Sequence, residues 1–172
     1  GESEDGLIAV GRDSNGAAAW QWDGAQWVPM VIPSVPILYD VYGLPTGDVY
    51  AGGCTQLLHY DGASWQTLHA SENECFQDLW ASGTSDVYAI GHDFSHYDGI
   101  ALSPVFPVRP QYPTAVWADS RGRVVVGEDR SIFRLENGEW TEEGQGVPWG
   151  TIYTLEGWAW DDLYAGTSSG VF

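Results

Sequence analysis

The sequence predicts an all-β protein built from small repeated sheets. Three observations carry this. A short phrase recurs four times, as "QWDGAQW" at 21–27, "HYDGASW" at 59–65, "HYDGIAL" at 96–102 and "RLENGEW" at 134–140. The phrases end at Trp27, Trp65, Leu102 and Trp140, which are 38, 37 and 38 residues apart. The composition, with 22 Gly, 9 Pro, ten Trp, nine Tyr and five Phe, suits turns and strands, and no long helical pattern is present. With 44% apolar residues the chain has ample material for a packed core.

Each repeat resolves into four strands. Strand A is "DVYG" from Asp40, "DLWAS" from Asp78, "AVWAD" from Ala115 and "EGWAW" from Glu156. Strand B is "DVYAGG" from Asp48, "DVYAIG" from Asp86, "RVVVG" from Arg123 and "DLYAG" from Asp162, with a degenerate "GLIAVG" from Gly6. Its β-branched and aromatic residues alternate with period two, as a strand requires. The recurring phrase itself holds strand C, a turn and strand D. Asp-Gly supplies the positive φ angles of a two-residue hairpin turn. The Trp that follows is expected to pack on the sheet of the next unit. In the fourth copy the turn becomes Glu136-Asn137-Gly138, yet Trp140 keeps its place. The units fall at roughly 1–34, 35–72, 73–110, 111–148 and 149–172, in one domain spanning 1–172.

A period near 38 residues with several strands per unit is the signature of a β-propeller, whose blades bury their faces only by stacking. The segment "LWASGTSDVYAIGHDFSHYDG" at 79–99 resembles the bacterial propeller repeats of the form V-W-G-S-x-x-D-V-W-A-V-G…H-Y-D-G-x-x-W. The resemblance covers nearly the whole chain. It implies the fold and no single activity. The WD40 Gly-His and Trp-Asp pair is not repeated, and the sialidase-type Ser-x-Asp-x-Gly-x-x-Trp loop is missing.

Five B strands imply five four-stranded blades. The first unit lacks strand A and the last lacks strand D. Three closures are open: part of a longer propeller, an imperfect five-blade ring, or a four-blade ring with 162–172 left over. Five blades with unusual closure is the expectation.

Charge excludes some partners. The net charge is −18, from 24 acidic residues against six Arg and no Lys. A phosphate backbone is bound through cations, so nucleic acid is not the expected partner, and anionic membranes are disfavoured too. The most apolar run, Trp27 to Leu38, is short and holds Pro29, Pro33 and Pro36, so no membrane insertion is expected. No signal peptide is visible, and a trimmed chain would show none.

Antiparallel strand order places B-to-C and D-to-A connections on one rim of a propeller. Cys54 follows strand B of the second unit, and Cys75 lies in the following D-to-A connection. A Cys54–Cys75 disulfide is therefore expected, closing a loop worth on the order of 3 kcal/mol. It implies an oxidising location: secreted, periplasmic or cell-surface. The same rim carries "GRD", "GHD" and "GED" at the starts of three B-to-C loops. These place Asp13, Asp93 and Asp129 at matching positions beside Arg12, His92 and Glu128. The D-to-A connections add Glu72, Glu74, Gln77, Arg109, Tyr112 and Trp149. Carboxylates beside aromatic rings suit sugars, whose hydroxyls need acceptors and whose apolar face stacks on a ring. The competing reading is that each Asp after Gly caps a turn.

Other chemistry is discounted. His92 and His96 straddle Asp93, but His96 matches His59 in the repeat and reads as structural, so no metal is expected there. No EF-hand spacing is present; calcium, suggested only by the acidity, is the one cofactor kept open. "GTSSG" at 166–170 lacks the helix and later His that a Ser168 nucleophile needs. "GQGVPWG" at 144–150 lacks the Lys of a phosphate loop. The expected function is thus non-catalytic ligand binding, with carbohydrate as the ligand. The alternative is a protein-interaction scaffold or a subunit of a larger surface assembly.

Overall fold

The computed structural model describes residues 6–105, 112–143 and 150–171, so Arg109 and Trp149 lie outside the described residues. Those residues form strands, without a helix among them. They divide into two compact units, Gly1–Gln77 and Asp78–Phe172.

The first unit holds two antiparallel sheets. One runs β1 (Ile8–Asp13), β2 (Gly16–Trp22), β3 (Trp27–Pro29), and corresponds to strands B, C and D. The other runs β4 (Leu38–Gly43), β5 (Val49–Tyr60), β6 (Trp65–Cys75). In β5 the rings of Tyr50 and His59 stack with centroids 4.8 Å apart. Nine residues of extended chain would span about 30 Å. The strand therefore doubles back on itself, and Thr55, at φ 71°, marks the bend. Its first part pairs with β4 and its second with β6, so β5 contains both B and C.

The second unit holds three sheets. They are β7 (Asp78–Gly83) to β10 (Leu102–Pro104) through β8 (Asp86–Ile90) and β9 (Phe94–Tyr97); β11 (Ala115–Ala118) to β14 (Glu139–Glu143) through β12 (Val124–Glu128) and β13 (Ser131–Glu136); and β15 (Ile152–Ala159), β16 (Asp162–Thr167), β17 (Gly170–Val171). Each sheet is an antiparallel meander in chain order. The A strands β7, β11 and β15 neighbour one another in sequence.

The turns correct one expectation. In three repeats the C-to-D loop is longer than two residues: Trp22 pairs with Trp27, Tyr60 with Trp65 and Tyr97 with Leu102. Only the Gly has positive φ there, at Gly24, Gly62 and Gly99. The Asp acts through its side chain instead. Asp61 Oδ1 accepts the N–H groups of Ala63 and Ser64, and Asp23 and Asp98 do the same in their repeats. These backbone donors hold all three carboxyls below the ordinary value. Among the described residues, the two-residue turn with both φ positive occurs only at Asn137 (φ 53°) and Gly138 (φ 81°), where Glu136 pairs with Glu139.

The recurring Trp is also corrected in direction. Trp65 is buried in a cluster with Val35, Leu38, Val49, Ala51 and Leu58, against which Ile8, Val10 and Ala17 of the preceding sheet, and Met30 just after it, pack. Trp140 meets Phe94 of the preceding sheet edge to face, at 6.1 Å. The D-strand Trp thus faces the preceding unit, not the next. The contact to the next unit is made by the A-strand Trp: Trp80 packs on Trp117 at 6.4 Å, and Trp117 Nε1 donates to Gly157 O. Asp78 adds a strap, accepting the Val116 N–H at 2.7 Å. Close approach matters here as well. A Cβ at Gly127 would come within 2.6 Å of buried Ile152.

Candidate functional site

The first unit carries a cleft of about 580 Å³ on the predicted rim. Three segments build it. The β1–β2 turn supplies Arg12, Ser14, Asn15 and Gly16; the β3–β4 connection supplies Ser34 to Ile37; the bend in β5 supplies Thr55. These are two B-to-C turns and the D-to-A connection between them, so the strand order itself brings them together.

Backbone bonding decides which polar groups remain for a ligand. Three of the connection's carbonyls are engaged: Val35 O accepts from Ala17 N, Ile37 O from Cys54 N, and Ser34 O from Gln56 Nε2 at 3.0 Å. The side chains left at the cleft all carry donors: the Arg12 guanidinium donates only, while the Asn15 amide and the hydroxyls of Ser14, Ser34 and Thr55 can donate and accept. Arg12 is exposed and makes no ion pair among the described residues.

Of the predicted site residues, Arg12 lines this cleft. Asp13 sits beside it at the end of β1, and its Oδ1 accepts the Asn15 N–H at 2.7 Å. Asp129 Oδ1 accepts from the Thr151 hydroxyl at 3.1 Å. Glu128 Oε1 accepts the Tyr112 N–H at 2.9 Å, and the Tyr112 side chain is 76% exposed. His92 and Asp93 are exposed neighbours, with Nδ1 and Oδ1 3.5 Å apart. Sequence reading missed Ser14, Asn15, Ser34 and Thr55. The signal for Ser34 was its place in a D-to-A connection, which the strand order sets beside two B-to-C turns.

Cys54 and Cys75 are joined as a disulfide across β5 and β6, with paired Cα positions. The pairing expected from the topology is present, and β6 continues as strand to Cys75.

A side-chain network recurs in the two units, at the A-to-B end of their sheets. Asp48 Oδ1 pairs with His59 Nε2 at 2.8 Å while its Oδ2 accepts from the Thr46 hydroxyl. Asp86 repeats this with His96 Nε2, at 2.7 Å, and with the Ser82 hydroxyl. The imidazoles stack on Tyr50 and Tyr88. His96 is therefore a structural residue, as its match to His59 implied. The Asp stands between the hydroxyl and the His, which is not the order of a nucleophile and its base. In the fourth repeat Arg123 and Arg134 replace the Asp and His, and both guanidiniums lie over the Trp160 ring at 4.5 and 4.7 Å.

The His96 hydrogen bond, ahead of the Ser82 hydroxyl, holds the Asp86 carboxyl below the ordinary 3.8. The folded state thus favours the carboxylate. This contribution is fully present above about pH 4 and is lost as the pH falls through the lowered folded value. In urea melts from pH 7 to pH 2, Asp86→Asn is expected to be less stable than wild type at neutral pH. The gap should close in acid. A constant gap would contradict the assignment.

No protein-family model and no curated protein matches the sequence. Solved structures do match. The chain is similar to the extracellular domain of BT4673 from B. thetaiotaomicron (TM-score 0.72, 14% identity, 98% of this chain and 26% of that one). It is similar to the WD40 β-propeller domain of Doa1 (TM-score 0.75, 13% identity, 98% and 60%) and to YCF48 bound to D1 peptide (TM-score 0.70, 13% identity, 99% and 64%). The chain therefore spans from about a quarter to under two thirds of the length of these proteins. At such identities the likeness shows the fold, and the fold is a β-propeller. It does not decide between binding and catalysis, since virginiamycin B lyase from Staphylococcus aureus also matches (TM-score 0.64, 12% identity, 99% and 70%).

Proposed function

We propose that this chain is a non-catalytic binding propeller of an oxidising, extracytoplasmic compartment, and that its ligand is a peptide segment of a protein partner seated in the Arg12 cleft. The observation that carries this is the Arg12 guanidinium, which makes no ion pair among the described residues and stands in a cleft lined by further hydrogen-bonding side chains. Peptide carbonyls and a terminal carboxylate are the complementary acceptors. The net charge of −18 adds a second criterion, because it attracts ligands that are basic overall while Arg12 takes a single acceptor group. The disulfide supports the compartment. The peptide carried by YCF48 on a similar fold supports the ligand class by analogy. Among the described residues the cleft lining holds hydroxyls but no His, Cys, Asp or Glu to activate one as a nucleophile, which supports a binding role.

The test is selection of a random displayed peptide library on the immobilised protein, followed by titration of the winning peptides. Basic peptides should be enriched at low salt. Arg12→Ala should weaken them about tenfold or more, since a charge-assisted hydrogen bond contributes roughly 1.5–3 kcal/mol. Winners unaffected by Arg12→Ala would place the peptide site elsewhere.

Carbohydrate is the second reading, and Tyr112 favours it. Its side chain is exposed and its backbone N–H donates to the Glu128 carboxylate, so an aromatic ring and a carboxylate come from neighbouring positions, as a sugar site uses. On that reading Asp13, Asp93 with His92, and Asp129, each in the B-to-C loop of its own repeat, contribute, with calcium as the ion to add in the assay.

A further inference from the structure

The lining of the Arg12 cleft is one-sided in charge. Among the described residues Arg12 is its only charged side chain, and no carboxylate lines it to hold an ammonium group. Asp13, beside the cleft, already accepts the Asn15 N–H with its Oδ1. The lining is also short of backbone acceptors, because Ser34 O, Val35 O and Ile37 O are all bonded within the fold. An internal stretch of peptide brings an N–H with nearly every C=O, and each of those donors needs an acceptor. The carboxyl terminus of a peptide differs, since it ends in two anionic oxygens and no further N–H.

The side chains present fit such an end. A planar carboxylate matches the guanidinium fork of Arg12, which donates to both oxygens at once. The Asn15 amide and the hydroxyls of Ser14, Ser34 and Thr55 can donate to the lone pairs that remain. Thr55 keeps its hydroxyl in the lining at φ 71°, a conformation that glycine would hold with less strain. Val35, Pro36 and Ile37 give the same cleft an apolar strip for the last side chain of the peptide.

Charge decides which carboxylate reaches Arg12. At −18 the chain repels peptides rich in acidic side chains and attracts basic ones. A basic peptide without acidic side chains carries one anionic group, its carboxyl terminus. We infer that the Arg12 cleft recognises the free carboxyl terminus of a basic segment whose last side chain is apolar. This rests on the peptide reading of the cleft and adds to it which end of the peptide enters and which terminal residue it favours.

The test is an array of lysine-rich peptides with varied last residues, printed in two orientations. One set is anchored by the amino end and leaves the carboxyl terminus free; the other is anchored by the carboxyl end. The oxidised chain should be captured by the first set, on peptides that end in an apolar residue. The best of them is then titrated in solution as the free acid, as the carboxamide, and as a carboxamide carrying one internal aspartate. The acid should bind about tenfold or more tightly than either amide. In Arg12→Ala the acid should fall to the level of the amide. Arg12→Lys should fall between, because it keeps the charge and loses the two-pronged contact. Equal binding of acid and carboxamide, both weakened in Arg12→Ala, overturns the inference and leaves the cleft as a site for an internal segment. An aspartate carboxamide that binds as well as the acid overturns it in favour of a side-chain carboxylate. Capture on neither set overturns the peptide reading itself, and this inference with it.

Discussion

Trp65→Ala should lower the unfolding free energy by about 3–5 kcal/mol, read from urea melts at neutral pH. Trp65 is 7% exposed and sits at the contact of the two sheets of the first unit. Truncation removes the transfer energy of a large ring and leaves a cavity between sheets that are held apart by their other side chains. The indole Nε1 is buried without a hydrogen-bond partner among the described residues. The ring is therefore held by packing alone, and Trp65→Phe, which deletes the unpaired N–H, should lose far less than Trp65→Ala. Trp27→Ala is the internal control. It changes the same repeat position where the side chain is 47% exposed, and should cost under about 1 kcal/mol. Equal losses at Trp65 and Trp27 would mean that the sheet contact does not depend on this position.

Removing the disulfide with Cys54→Ala and Cys75→Ala should cost on the order of 3 kcal/mol, because the bridge closes a loop of 21 residues in the unfolded chain. The two residues also pair across β5 and β6, next to the bend at Thr55 that lines the ligand cleft. The double variant should therefore lose both stability and peptide affinity. Arg12→Ala should lose affinity alone. Mass spectrometry of the purified chain with and without reductant provides the chemical check: the oxidised form should be two hydrogens lighter. Melts that are identical before and after reduction would remove the bridge from the stability argument.

Much of the architecture was legible because the repeat fixes what varies and what does not. The strands at "DVYAIG" and "SHYDG" carry their period-two pattern openly, and matching positions from unit to unit gave the B-C-D start and A-B-C end that the sheets show. The Cys54–Cys75 pairing followed from strand order alone. The direction in which Trp65 points was not legible. Period two says that a residue lies on one of two faces, and nothing in one strand says which neighbour that face meets. The turns were misread for a similar reason. Asp-Gly fits a two-residue turn, but the Asp61 carboxylate reaches the N–H groups of Ala63 and Ser64 and stabilises a longer one.

The candidate site was legible in its rim and less so in its members. Acidic residues drew attention because they recur, yet Asp13 and Asp129 spend hydrogen bonds on Asn15 and Thr151. The donors that line the cleft are single small residues, Ser14, Asn15, Ser34 and Thr55, which no periodicity marks. Their role depends on which backbone carbonyls are already engaged, and that is fixed only by the packing of the β3–β4 connection against two turns.

The most direct measurement is binding of the folded, oxidised chain to a peptide array and a glycan array in parallel, with and without calcium, alongside Arg12→Ala. Selective capture of basic peptides that is lost in Arg12→Ala, with the glycans blank, is the predicted result. Selective glycan binding that survives Arg12→Ala would contradict the peptide site and move the ligand to Tyr112 and Glu128 of the second unit.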